Sequence, residues 1–553
     1  MSKYNNLLCN NKMSFDECEL AILRQAVDDS ETIKAKSIVM NDDIKKIIDI
    51  LESFLQSKQL ICYGGTAINN ILPKQDQFYN KELEIPDYDF YSTNSLNDSI
   101  ELANIYADAG YKEVEAKAGV HHGTYKVFVN FIPIADITQL HEVIFDEIMK
   151  DAIKVAGIKY APANFLRMNM YLELSRPMGD VSRWEKVFKR LLLLNKHYPI
   201  NPSINCDMVE FQKRMEEETI NSIINKDVKE DAKSFENSSS VEIEKDIHIV
   251  IRNSLISLGA IFIGGYACTL YSKYMPEKQK RKIDKIADFD VILEDIDKGA
   301  LIVKEQLEKT INEKITLVQH PEIDEIIPRH VEIKIGDNSV VFIYEPIACH
   351  SYNKITVDNN KNDVNVGTID TLLSFYLAFL YSKKEYYNKD KILCMAMFLF
   401  NVQQKNRLNQ KGLLKRFSID CYGKQQSLED IRSVKAEKFK ELISKRGTVE
   451  YDEWFLKYNP NDKRKTVIKH RKQRKTPAVS HLVKTPAVSP LVKPQVGSPL
   501  VKTYPLVKTY PLVKTYPLVK PYPLVKKYQK TNRIRKNKKR KTRKNVRKNN
   551  FLF

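Results

Sequence analysis

The sequence has no Cys-x-x-Cys pair and no Cys/His cluster with zinc-ligand spacing. Its eight cysteines stand alone at 9, 18, 62, 206, 268, 349, 394 and 421. That excludes zinc-ribbon and dithiol redox classes, and the pattern reads as buried free thiols in a reducing compartment. The opening residues Met-Ser-Lys-Tyr-Asn-Asn carry no signal-peptide core, so no secretion is expected. No apolar run reaches the ~18 residues that a membrane span needs. Leu372 to Tyr381 is the most apolar stretch and is short enough for a buried helix, so no membrane partner is expected. Acidic residues are missing from one region altogether. Residues 463–553 hold 28 Lys and Arg and no Asp or Glu, which leaves 61 basic and 70 acidic residues in 1–462. The net charge of +19 therefore sits entirely in the tail and points to a polyanionic partner, nucleic acid first.

What is present is organised around Tyr63-Gly64-Gly65-Thr66-Ala67, Asp87-Tyr88-Asp89 and Asp136. Leu60 to Tyr63 reads as a short apolar strand, Gly64 and Gly65 stop it, and helical spacing resumes from Thr66 to Leu72. A strand, a glycine turn and a helix start place bare backbone N–H groups where phosphate oxygens can be held. On a strand, Asp87 and Asp89 face one side, and two adjacent carboxylates repel unless a cation lies between them. Carboxylate oxygens suit Mg²⁺ or Mn²⁺. Asp136, ending the apolar stretch Val127 to Ala135, is the candidate third ligand.

Around this stretch, Ser14 to Glu17 reads as a capping box opening a helix to about Ala35, and Asn41-Asp42-Asp43 caps a second helix. Asn97-Asp98 caps another, followed by strands between Lys112 and Thr138 with a turn at 119–123 that holds His121 and His122. Val127 to Ile132 reads as one strand. Asn164 to Tyr198 reads as two helices split at Pro177 and Gly179, the second carrying Arg183, Lys186, Lys189 and Arg190 on shared turns. These cations suit a nucleoside triphosphate opposite the carboxylates; the alternative is a solvated amphipathic face.

The pattern then repeats. Gly264-Gly265-Tyr-Ala267 mirrors Gly64-Gly65-Thr-Ala67, and Asp288-Phe-Asp290 mirrors Asp87-Tyr-Asp89. Pro346-Ile-Ala-Cys349 mirrors Pro133-Ile-Ala-Asp136, which places a cysteine where the third carboxylate belongs. Cysteine is a poor ligand for a hard cation, so the second copy reads as degenerate. Residues 370–403 read as a helical hairpin and 430–458 as a mixed end piece of the second copy. From Thr476 the chain is low-complexity, with a Pro-Leu-Val-Lys-Thr-Tyr unit whose prolines recur at 505, 511, 517 and 523, a period that no helix tolerates, and Arg533 to Lys548 is a dense basic run. The expected class is α/β (α+β): two tandem domains, each a small mixed sheet with flanking helices, and a disordered basic tail. The expected boundaries are 1–200, a 201–245 linker, 246–462 and 463–553.

The glycine turn, the Asp-x-Asp and the downstream Asp resemble the DNA polymerase β nucleotidyltransferase superfamily. More narrowly, Tyr63 to Asn69, Ile134 to Thr138, Tyr171 to Pro177, Gly179-Asp180 and Arg183 to Lys186 resemble the poly(A) polymerase catalytic subunits of large cytoplasmic DNA viruses, the mimivirus type above all. The resemblance covers roughly residues 40–460. It implies transfer of AMP from ATP to an mRNA 3′ end, with Asp87, Asp89 and Asp136 as catalytic ligands of two Mg²⁺ or Mn²⁺ ions. It implies Gly64, Gly65, Thr66, Arg183 and Lys186 as nucleotide-binding residues. It further implies a homodimer of protomers with one active and one inactive nucleotidyltransferase-like domain, found in the virion and the host cytoplasm. Two other readings stay open: uridylyl, cytidylyl or tRNA-end addition, and a non-enzymatic RNA-packaging protein on this scaffold.

Overall fold

The computed structural model describes residues 9, 13–39, 42–80, 85–206, 238–275, 288–357 and 363–462. The expected tail at 463–553, and residues 207–237 of the expected linker, lie outside the described residues.

The first half runs α1 (Phe15–Val39), α2 (Asp42–Lys58), β1 (Ile61–Tyr63), α3 (Gly64–Ile71), β2 (Tyr88–Ser92), α4 (Ser95–Asp108), β3 (Val114–Ala118), β4 (Thr124–Val129), β5 (Ile132–Gln139), α5 (Glu142–Lys150), β6 (Ile153–Val155), β7 (Ile158–Tyr160), α6 (Ala163–Leu174) and α7 (Trp184–His197). The second half runs α8 (Ser238–Ser257), β8 (Ile261–Phe262), α9 (Gly265–Ser272), β9 (Phe289–Ile292), α10 (Ile296–Glu308), β10 (Ile315–His320), β11 (His330–Ile335), β12 (Asn338–Tyr344), β13 (His350–Thr356), β14 (Asp363–Gly367), α11 (Ile369–Phe379), α12 (Lys389–Lys405) and β15 (Cys421–Tyr422). Two helices, α13 (Leu428–Leu442) and α14 (Val449–Phe455), and β16 (Lys457–Tyr458) end the described chain.

Local chemistry accounts for the element starts. Ser14 and Glu17 exchange the two bonds of a capping box, Ser14 N to Glu17 Oε2 at 2.8 Å and Glu17 N to Ser14 Oγ at 3.2 Å. Ile44, Ile47, Leu51, Phe54 and Leu55 bury one stripe of α2. α4 begins at Ser95, a little before the expected Asn97-Asp98 cap. The expected strand from Val127 to Ile132 is two strands: Asn130 (φ 50°) and Phe131 (φ 66°) turn the chain in a two-residue hairpin between β4 and β5. Paired left-handed residues fit the twist of such a hairpin.

Each half forms a mixed sheet of the same order. The first is β16-β3-β4-β5-β2-β1-β7-β6 and the second β10-β11-β12-β9-β8-β14-β13-β15. Leaving out the end strands β16 and β15, the two orders match strand for strand. Both copies place a parallel pair, β2 with β5 and β9 with β12, at the centre. Both also shift register at the same place, between Val127 and Phe128 in β4 and between Ile333 and Lys334 in β11. The duplication is thus structural, and it corrects one correspondence read from sequence. Asp89 pairs with Asp136, whereas Asp290 pairs with Phe342. Phe342, not Cys349, holds the third-carboxylate position, because the Pro-Ile-Ala likeness lies outside β12 altogether.

The cysteines also depart from expectation. Cys9–Cys18, Cys206–Cys394 and Cys349–Cys421 are disulfides, and only Cys62 and Cys268 are buried free thiols among the described residues. Folding brings these partners together across separations that spacing alone does not reveal; Cys349 immediately precedes β13, and Cys421 opens the β15 strand paired with it.

The end piece read as part of the second copy returns to the first sheet. Residue Lys457 pairs with Lys117 and Tyr458 with Ala116. Tyr125 Oη donates to the Glu453 carbonyl at 2.9 Å, and Tyr458 Oη to Asn104 Oδ1 at 2.7 Å. Elsewhere the halves meet through α6 and α11, with Phe165 edge-on to Tyr381 at 5.2 Å and Ser351 N donating to the Ser175 carbonyl at 2.8 Å.

Because Leu456 is buried and β16 covers an open sheet edge, a chain ending at residue 447 is expected to lose on the order of 2 kcal/mol or more relative to one ending at 462. Urea unfolding of the two truncations checks this; equal midpoints would show that the returning strand is incidental.

Candidate active site

The site is one row of side chains across the first sheet. Tyr63 pairs with Asp89, Asp89 with Asp136, and Asp136 with Lys126, each directly across a ladder. Residues opposite one another share a face, so all four side chains stand on one side. Asp87 lies two residues before Asp89 and shares that face. The opposite face is apolar: Tyr88, Phe90, Val127 and Ile137 are buried.

The geometry forces negative charges together. Burial, then the Asp87 and Asp136 charges, push the Asp89 carboxyl up to about 7, against the weaker pull of Lys126 and Arg183. Asp87 is also raised, by burial and by Asp136, while Lys126 and Lys186 pull it down. Lys126 Nζ bonds directly to Asp136 Oδ2, so a side-chain ammonium sits on the third carboxylate. Among the described residues, no group of three His, Cys, Asp or Glu is close enough to hold a metal ion. The donor chemistry nonetheless fits a hard divalent ion: Asp89 and Asp136 stand in register with Asp87 two residues before, and burial, then the neighbouring carboxylates, drive Asp87 and Asp89 towards the neutral form.

The glycine turn lies against this row. Gly64 has φ 72°, and a Cβ there would stand 2.5 Å from Asp89 Oδ2, so only glycine lets the carboxylate approach. Gly65 is the second residue of α3, and a Cβ there would meet Tyr79 Oη at 2.4 Å and Arg190 Nη1 at 2.9 Å. Thr66 is buried and donates to the Asp87 carbonyl at 2.6 Å, which locks the turn to the entry of β2. Tyr63 accepts or donates to Thr138 at 2.9 Å and stacks on Tyr91 at 3.9 Å; burial pushes its hydroxyl up strongly.

Helix α7 and the turn before it supply cations. Arg183 pairs with Glu173 at 3.2 Å, and its charge acts on Asp89; Lys186 is exposed and acts on Asp87. Lys189 instead pairs with Glu185 at 2.7 Å on the solvated face. Arg190 is the cation nearest the turn: it donates to Tyr79 Oη at 2.7 Å and lies over the Phe78 ring at 4.8 Å. Its spacing from Arg183 and Lys186 puts it on their face, and that was its sequence signal. Lys126 and Tyr79 were not legible as site residues, because only strand register and chain return bring them there. The His122 ring packs on Trp454 at 4.2 Å, and burial lowers its pKa.

The fold is nucleotidyltransferase-like. The solved Megavirus polyadenylate synthase superposes with a TM-score of 0.63 at 20% identity, over 82% of this chain and 88% of that one. Residues 49–180, which hold the glycine turn and all three carboxylates, match the sequence model of the family described as poly(A) polymerase catalytic subunit. A 200-residue stretch is 32% identical to the "Putative poly(A) polymerase catalytic subunit" of Acanthamoeba polyphaga mimivirus, covering 35% of this chain and 32% of that protein. The like-named protein of African swine fever virus (isolate Tick/Malawi/Lil 20-1/1983) is 31% identical over 164 residues, 29% of this chain and 34% of that protein. The matches thus span about a third of the length of these curated relatives.

A raised Asp89 carboxyl means that the folded chain holds a proton which the unfolded chain releases near 3.8. The folded state therefore binds more protons between about pH 4 and 7, and the stability linked to Asp89 is lost as pH rises through 7. Asp89→Asn is expected to raise the melting temperature in EDTA at pH 8 more than at pH 5. An equal shift at both pH values would contradict the crowding of charge at this site.

Proposed function

We propose that the chain is a template-independent polynucleotide adenylyltransferase that adds AMP from ATP to the 3′ end of viral mRNA. The observation that carries this reading is the Asp89–Asp136 pair, in register beside the Gly64–Gly65 turn and inside the segment that matches the poly(A) polymerase family. In this reading Asp87, Asp89 and Asp136 would hold two Mg²⁺ or Mn²⁺ ions, which would supply Lewis-acid activation of the RNA 3′-hydroxyl and positive charge for the departing pyrophosphate. The protein's own part is positioning and charge. Backbone N–H groups at Gly64 to Thr66 hold the β- and γ-phosphates, and Arg183, Lys186 and Arg190 balance their charge. Thr66 fixes the turn by its bond to the Asp87 carbonyl. Lys126 orients Asp136 and limits repulsion while the site awaits its substrates.

The second copy is proposed to be catalytically silent, since Phe342 offers no oxygen where Asp136 stands. The basic tail is proposed as an RNA-holding arm, because its lysines and tyrosines suit single-strand neutralisation and stacking. A homodimer, and residence in the virion and host cytoplasm, complete the reading; Phe15 and Ile33 on α1 are 77% and 69% exposed and available to a partner.

Extension of a labelled oligo(A) primer with each of the four ribonucleotides tests the activity. A ladder with ATP alone is expected, falling at least ~10³-fold in Asp87→Ala/Asp89→Ala and in Asp136→Ala. Full activity of Asp136→Ala would defeat the assigned mechanism, and RNA binding without extension by any nucleotide would favour the packaging protein. Arg190→Ala is expected to raise the KM for ATP about tenfold, the loss of roughly one charge-assisted contact.

A further inference from the structure

The catalytic row does not stop at Lys126. The registers continue it outward: Lys126 pairs with Lys117 on β3, and Lys117 with Lys457 on β16. One straight line across six strands therefore reads Tyr63, Asp89, Asp136, Lys126, Lys117, Lys457. Three lysines follow the third carboxylate, and β16, the strand that returns from the far end of the folded chain, supplies the last. At about 4.8 Å per strand step, the lysines reach roughly 14 Å from Asp136.

This face is open. The Lys126 and Lys117 side chains are 38% and 42% exposed, and Lys457 is exposed. Lys126 spends one donor on Asp136 and keeps two. Lys117 lies 3.9 Å over the Phe128 ring and 3.3 Å from Glu115 Oε2, both on the same face. Phe128 is half-buried there and presents ring surface beside the lysines. The second copy gives an internal comparison. Its matching row is Asp290, Phe342, Glu332, Val318, with no lysine and with the buried Glu332 where Lys126 stands. Glu332 is occupied internally by His320 and Ser339. The lysine line is thus a property of the first copy and not of the fold.

We propose that Lys126, Lys117 and Lys457 form a track for the phosphates of the last few nucleotides of a single-stranded RNA 3′ end. The terminal hydroxyl lies at Asp136, and a base near Lys117 rests against Phe128. The proposal deepens the adenylyltransferase reading by giving the primer a direction: it leaves the carboxylates along the sheet towards β16, away from the Gly64–Gly65 turn and Arg190. ATP and primer then approach the carboxylates from opposite ends of the row. A line of point charges with one ring suits a backbone read without sequence.

The test is binding of a fluorescent oligo(A) hexamer to the full chain without ATP, over a series of salt concentrations. Lys117→Ala and Lys457→Ala are each expected to weaken binding on the order of fivefold and to lower the salt slope by about 0.7 per lysine, the value for a single strand. Lys117→Arg is expected to keep the slope. A hexamer with uncharged methylphosphonate linkages nearest its 3′ end is expected to bind the wild-type chain more weakly, and the Lys117→Ala/Lys457→Ala chain no more weakly than the natural hexamer does. Unchanged slopes in both single variants, or losses that simply add between variant and modified RNA, would overturn the track. Melting temperatures equal to wild type establish that the variants fold. Because ATP is absent, a chain that binds along the track but extends nothing refutes the adenylyltransferase reading alone. A chain that extends normally with unchanged slopes refutes the track alone.

Discussion

The parallel ladder between β2 and β5 is the constraint on which the rest depends. It places Asp89 opposite Asp136, and no rotamer choice removes two carboxylates from the same face of adjacent strands. Their repulsion has to be met by positive charge, and the surroundings are arranged to supply it. Lys126 arrives from β4 by direct pairing, Arg183 from the turn before α7, Lys186 from its first turn, and the Gly64 turn brings backbone dipoles against Asp89. A site built in this way is unstable in itself and becomes favourable when cations or a positively compensated substrate enter it. That is the condition for a functional rather than a structural cluster.

The duplicated sheet shows which features belong to the scaffold and which to the chemistry. Strand order, the central parallel pair, the bulge position and the approach of a glycine to the second aspartate recur in both halves. The row beyond that aspartate does not. Where the first copy has Asp136 and Lys126, the second has Phe342 and Glu332, with Phe342 packed against His320, His330 and Tyr386. An aromatic cluster has taken the place of a charge balance. The second sheet keeps the shape that α6 and α11 pack against, and no longer carries the electrostatic cost of three facing carboxylates.

Much of this was legible in the sequence because the signals are local. The Gly-Gly turn, the Asp-x-Asp and the cap of α1 are each written within a few residues, and the split between α6 and α7 is written in Pro177 and Gly179; the Asn41 cap expected for α2 lies outside the described residues. The tandem repeat was visible from its own internal likeness. The rest depended on register or long-range return. Pro346-Ile-Ala resembles Pro133-Ile-Ala, yet the register puts Ser339 at the Pro133 position, seven residues away, so a short identity outweighed the correct strand correspondence. Asn130 and Phe131 read as strand residues because Phe has strong β propensity; their left-handed conformations are imposed by the hairpin. The cysteine pairs and the two-residue β16 carry no sequence signal, since both are consequences of which distant segments folding brings together.

The return of the chain end to the first sheet ties these strands of argument together. A β3 left at the edge would expose unpaired backbone groups beside a charged face. β16 satisfies them, and the residue it brings into line with the row is a lysine. The segment that delivers it is anchored at several points on the same sheet: Tyr125 bonds to Glu453, Lys435 to the Gly119 carbonyl, and Asn461 to the Tyr111 and Lys112 carbonyls. Anchoring of that extent exceeds what an edge cap two residues long requires. It holds the segment that carries Lys457 at the lysine end of the row by long-range bonds as well as by the two pairs of β16.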